Sequence, residues 1–225
     1  MSDRDALLCL FESTKGETWT KKTDWFEEES VRFWYGIKID EGGHVKSIDL
    51  TENRLKGELP NSDRLKRLIN LQDLVLCSNL ITGTIPNSFG HLKSIIRLHL
   101  SWNSLSGPFP MILLELKTLS NLRIDHNKFE GEIPQEIGDL KALEWLDISH
   151  NQFVGRLPET MKTYEKLRMF DASSNFLELP DICNINHYRA WVKGELGPET
   201  EAEKIVRNSI ATAQEKLITG GIDMD

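Results

Sequence analysis

From residue 45 onward, apolar side chains recur at fixed offsets before an asparagine. With Asn53, Asn79, Asn103, Asn127, Asn151 and Asn175 as origins, the spacings are 26, 24, 24, 24 and 24 residues. The positions eight, five and three residues earlier form six triplets: Val45/Ile48/Leu50, Leu71/Leu74/Leu76, Ile95/Leu98/Leu100, Leu119/Leu122/Ile124, Leu143/Leu146/Ile148 and Leu167/Phe170/Ala172. The alternation of the last two apolar positions with polar ones predicts a short strand in every period, with the apolar residues turned inward. A period of this length marks a solenoid, because one such unit cannot bury its apolar face alone and must stack on its neighbours.

Glycine follows four residues after each of the first five asparagines (Gly57, Gly83, Gly107, Gly131, Gly155). Proline follows seven after (Pro60, Pro86, Pro110, Pro134, Pro158). Glycine would permit a backbone bend after the strand, and proline would set an extended outer segment that needs no donor. The recurring asparagine occupies an inward position, so its amide requires partners. A ladder to the backbone of adjacent turns would supply them.

These repeats, and above all Ile81-Thr-Gly83-Thr-Ile85-Pro86 and Phe129-Glu-Gly131-Glu-Ile133-Pro134, resemble the leucine-rich-repeat family in its plant-type LxGxIP subclass. The resemblance runs from residue 45 to about 180. It implies an α/β-type solenoid: a right-handed superhelix with short parallel strands on its concave face and an N-terminal helix/hairpin cap, to which the residue pattern beyond the repeats adds a C-terminal helix.

Four segments are expected. Residues 1–44 form an N-terminal cap, 45–181 six repeats, 182–197 a C-terminal cap and 198–225 an amphipathic helix and tail. In the first, Leu7, Leu8, Leu10 and Phe11 predict a helix over about Asp3–Thr14, with Gly16 beyond its end. Trp19, Trp25, Phe33, Trp34 and Tyr35 are suited to cover the first repeat. Trp34 to Ile39 reads as a strand that turns through Asp40–Gly43 into Val45. At the far end Pro198 and Thr200-Glu-Ala-Glu203 start a helix, and Gly220-Gly221 stop it.

Composition narrows the function. A formal net charge of −8 opposes a nucleic-acid partner, whose affinity comes largely from neutralised phosphates. No stretch is long and apolar enough for membrane insertion. The start of the chain lacks the basic, then apolar, pattern of a secretory signal. Cys9, Cys77 and Cys183 are odd in number and show no paired spacing, and none of the thirteen asparagines opens an Asn-x-Ser/Thr sequon. The expectation that follows is a cytoplasmic protein with reduced thiols.

Side chains between the apolar strand positions should face outward. Three rows result. At −6 stand Ser47, Asp73, Arg97, Asn121, Trp145 and Met169. At −4 stand Asp49, Val75, His99, Arg123, Asp147 and Asp171. At −1 stand Glu52, Ser78, Trp102, His126, His150 and Ser174. The −2 row is small and polar, and suits local backbone bonding.

Repeats three to five concentrate Arg97, His99, Trp102, Arg123, His126, Trp145, Asp147 and His150. Aromatic residues with arginine are the composition of interface hot spots, so these eight are the candidate partner-binding residues. His126 and His150 with Asp125 raise a metal site. Repeat equivalence alone brings those rings together, however, and no HExxH or CxxC spacing is present. GxSxG, P-loop and GxGxxG motifs are absent as well.

The expected function is therefore a non-catalytic protein-binding scaffold without cofactor, monomeric unless the C-terminal helix docks on another chain. Two alternatives are an extracellular recognition protein (receptor-ectodomain-like or hydrolase-inhibitor-like) and a structural component of a larger assembly docked through that helix.

Overall fold

The computed structural model describes residues 2–25 and 30–178. Each period, of 26 residues in the first case and 24 in the rest, folds into one coil, and the strands predicted from the alternation are present in every one. They are Val45–Asp49, Asp73–Val75, Arg97–His99, Asn121–Arg123, Trp145–Asp147 and Met169–Asp171. With Ile37–Ile39 on the first edge they make a sheet of seven strands among the described residues. The edge pair is antiparallel, with Ile37 opposite Ile48. All later pairs are parallel and in the register of the repeat: Trp145 stands opposite Asn121 on one side and Met169 on the other. Every residue of the six apolar triplets is buried. Equivalent leucines therefore stack along the axis, each worth about 1.5–3 kcal/mol of burial.

The buried asparagines bond as a ladder. Asn103 Oδ1 accepts the Ile81 N–H of the preceding coil at 3.0 Å. Its Nδ2 donates to Leu76 O at 3.0 Å and, within its own coil, lies 3.1 Å from Leu100 O. Asn127, Asn151 and Asn175 repeat this pattern. Asn53 has no coil before it. Its amide instead exchanges bonds with Lys21, Oδ1 accepting the Lys21 N–H at 2.5 Å and Nδ2 donating to Lys21 O at 2.8 Å. The N-terminal segment thus supplies the backbone a preceding repeat would have supplied.

The region after each asparagine differs from the expected bend. Lys56–Glu58, Leu80–Gly83, Ser104–Pro108, Lys128–Glu132, Gln152–Gly155 and Phe176–Leu177 form a second parallel sheet. The repeat glycines lie inside its strands with φ between +73° and +119°. Bend and strand coincide because these positions pair with their neighbours while in the left-handed region, which glycine enters at no steric cost. Pro86, Pro110, Pro134 and Pro158 then precede short 3-10 turns, whose Phe89, Leu113, Ile137 and Met161 close the core from the outer side.

At the N-terminus a helix spans Asp3–Ser13, one residue short of expectation, and buries Ala6, Leu7, Leu10 and Phe11. The Ser2 N–H donates to Asp5 Oδ2 at 2.6 Å, which satisfies one free donor of the first turn. A Cβ on Gly16 would stand 2.1 Å from the Phe11 ring, so the chain turns there only without a side chain. Trp19 and Trp25 pack on Phe11 and on each other, and Trp34 packs on Trp25, with ring centroids 4.7–5.5 Å apart.

Two details depart from the sequence reading. The edge strand is confined to Ile37–Ile39, because Gly36 at φ +81° interrupts it. Phe33 is 57% exposed and carries the Arg32 guanidinium over its ring, in place of the burial expected of it. The predicted 182–197 cap and 198–225 helix lie outside the described residues.

Candidate functional site

The outward rows of the seven-stranded sheet form a continuous polar and aromatic surface. In the −4 row, the His99 ring lies with Nε2 2.8 Å from Asn121 Oδ1. Burial pushes the His99 pKa below the ordinary imidazole value, and the nearby cations Arg123 and Arg97 push it the same way. Arg97 itself lies 3.5 Å from Asp73.

Arg123 is held from below. Its Nε is 3.5 Å from Asp125 Oδ1 and its Nη2 is 3.7 Å from Asp147 Oδ2. The geometry at Nε is not that of a hydrogen bond, and this buried N–H makes none among the described residues.

Asp147 differs from its expected place on the open surface: it is only 6% exposed. Its Oδ1 accepts from the Ser149 hydroxyl at 2.7 Å and from the Ser149 N–H at 3.2 Å. Burial pushes its carboxyl pKa upward, and the neighbouring carboxylates Asp125 and Asp171 add to the rise. The residue underlies the surface and acts on it through Arg123.

The −1 row shows the least foreseen geometry. Glu52, Ser78, Trp102, His126, His150 and Ser174 all take left-handed φ values, between +51° and +57°. The ladder of N–H bonds to the next coil holds them there: Trp102 N–H donates to Asp125 O at 3.1 Å and His126 N–H to Ser149 O at 3.1 Å. With the backbones locked in one conformation, equivalent side chains leave in parallel. Trp102 stacks on His126 with ring centroids 3.6 Å apart and an interplanar angle of 14°. His126 stacks on His150 at 4.0 Å and 23°. Stacked face to face, these imidazoles send their ring nitrogens out edgewise. Among the described residues no cluster of His, Cys, Asp and Glu could hold a metal ion.

The structure thus brings Trp102, His126 and His150 into one column and joins Arg123 to Asp147. Trp145, 39% exposed, stands apart in the −6 row. One contributor was undervalued in the sequence. Buried Asp125 accepts from the Ser101 hydroxyl, lies 3.1 Å from His126 Nδ1 and faces Arg123, so it orients two surface side chains at once. The signal was available: Asp125 is the one charged residue in a row otherwise made of Thr51, Cys77, Ser101, Ser149 and Ser173.

Comparison with known proteins defines the class. The model of the family described as Leucine Rich Repeat matches residues 70–92, 118–140 and 142–163. The structure of Pollen Receptor Kinase 3 superposes with a TM-score of 0.64 at 31% identity, over 75% of this chain and 82% of that one. This chain belongs to the leucine-rich-repeat family, in its plant-type subclass. Receptor-like protein 47 of Arabidopsis thaliana is 38% identical over 77 residues, which are 34% of this chain and 9% of that protein. The plant peptide hormone receptor RGFR1, solved in complex with RGF2, matches at 35% identity with a TM-score of 0.52, over 55% of this chain and 20% of that one. The chain spans about a tenth of the length of the curated relatives it matches.

These similarities correct the cytoplasmic expectation. The matched proteins are receptors and receptor-like proteins of plants, and they point to an extracellular or membrane-associated setting. The missing cysteine pairs did not decide location, because the aromatic cluster and the Asn53–Lys21 exchange close the N-terminal end of the solenoid by themselves. No helix among the described residues is long and apolar enough to cross a membrane.

Proposed function

We propose that this chain is a non-catalytic recognition module, akin to receptor ectodomains, that binds a peptide or protein segment along the concave face of its solenoid. Arg97, His99, Trp102, Arg123, His126, Trp145 and His150 supply the contact surface, and Asp147 holds Arg123 in position beneath it.

The observation that carries this reading is Trp102, 56% exposed on the end of a stacked ring column. An exposed tryptophan costs solubility and offers a large, rigid contact area when covered. The complex of RGFR1 with RGF2 supports a peptide-sized partner for a solenoid of this type.

The test is quantitative partner capture with the wild-type chain and with a Trp102→Ala/Trp145→Ala double variant of unchanged thermal stability. Loss of the specific partners from the variant is expected. An unchanged partner set would overturn the reading.

A further inference from the structure

The ring column ends abruptly on both sides. Position −1 carries a ring only in repeats three, four and five. In repeats two and six it carries serine, Ser78 and Ser174, both exposed and both in the same left-handed conformation as the rings. The Trp102 indole gives one face to His126. Its other face looks along the axis toward Ser78, and among the described residues no ring or cation covers it. One strand further on, exposed Glu52 occupies the same row. Strands lie about 4.8 Å apart, so Glu52 stands roughly 10 Å from the Trp102 position, and Ser78 is the row position between them.

That gap is one planar group deep. Its walls are an indole face, which attracts cations through the ring quadrupole, and a carboxylate. The surrounding rows strengthen the sign. Arg97 and Arg123 are matched by Asp73, Asp125 and Asp147, whereas Asp49 and Glu52 beside the gap face no cation among the described ion pairs.

We propose that the space over Ser78, between Trp102 and Glu52, is a subsite for an arginine side chain of the bound segment. The guanidinium stacks on the indole and donates hydrogen bonds to the carboxylate. This deepens the concave-face reading and rests on it. A guanidinium is planar, weakly hydrated and able to stack while its edge donates; an ammonium is a compact, strongly hydrated point charge that satisfies neither wall as well. The subsite therefore selects arginine over lysine.

The repeat itself supplies the decisive variant. Histidine already occupies the equivalent position at His126 and His150 with φ +52° and +51°, so Ser78→His extends the column without a new backbone demand. The imidazole then fills the gap.

The probe is N-acetyl-arginine amide, titrated into the full chain with the indole N–H of Trp102 followed by NMR, its resonance assigned through Trp102→Phe. A saturable shift is expected, with binding about fivefold weaker for N-acetyl-lysine amide, as the loss of roughly 1 kcal/mol of cation–π stacking implies. Binding should be lost in Ser78→His and weakened in Glu52→Gln.

Absence of saturation in the wild type, equal affinity for the lysine amide, or undiminished binding in Ser78→His would each overturn the subsite. Partner capture reports separately on the parent reading. If the double variant loses its partners but Ser78→His keeps them, the concave face binds without an arginine subsite. If the double variant keeps its partners, the parent reading itself fails.

Discussion

The side-chain oxygen of Asn127 accepts the Leu105 N–H of the preceding coil at 2.9 Å, while its Nδ2 lies 3.0 Å from Leu100 O and 3.1 Å from Ile124 O. One buried amide thus ties two coils and its own turn together. Asn127→Ala leaves the buried Leu105 N–H without its acceptor, while Leu100 O and Ile124 O each keep one amide donor, from Asn103 and Asn151. The expected cost is about 1–3 kcal/mol, because an unmet buried polar group loses its full solvation. Urea unfolding checks it, with exposed Asn87→Ala as a control expected to change stability by less than about 0.5 kcal/mol.

Two repeat glycines should respond unequally to the same substitution. At Gly57 (φ +119°) an added Cβ would stand 2.4 Å from the Ser13 carbonyl oxygen at the end of the N-terminal helix. At Gly131 (φ +75°) it would meet nothing within 4 Å. Gly131→Ala should therefore cost only the left-handed conformation of an L residue, about 1–2 kcal/mol. Gly57→Ala should cost more, since helix and second sheet must also separate. Thermal unfolding of both variants compares them, and equal losses would refute the close approach.

Stability should fall on mild acidification, in part through His99. Burial chiefly, with Arg123 and Arg97 adding, lowers the pKa of the folded imidazole below its ordinary 6.5. The unfolded chain takes up this proton first. The stability contributed by the neutral ring is thus intact above about 6.5 and lost progressively as the pH falls toward the folded pKa. His99→Gln keeps a polar group for Asn121 but cannot titrate. Its urea midpoint should decline less than that of the wild type between about pH 7.5 and 5. Parallel curves would exclude the contribution.

Periodicity made much of the fold legible. A 24-residue register places Leu98 beside Leu122 and Asn103 above Asn127 before any coordinates are known. The first sheet, the buried triplets and the asparagine ladder follow from it. The second sheet was less legible, because Gly83 or Gly131 in a sequence signals a turn, whereas in the solenoid the same glycine turns and pairs at once. At the site, the register assigned each candidate to a row but not to a depth. Asp147 and His99 occupy equivalent positions, yet Asp147 is buried under Arg123 and bonded to Ser149.

The sequence by itself determined which residues are equivalent, since a repeat of constant length turns chain separation into lateral neighbourhood. The tertiary structure alone decided what equivalent residues do to one another. Trp102, His126 and His150 became a column because a shared left-handed backbone, held by the hydrogen-bond ladder, aims their rings in parallel about one ring thickness apart. No spacing in the chain encodes that angle. It arises only when the coils are stacked.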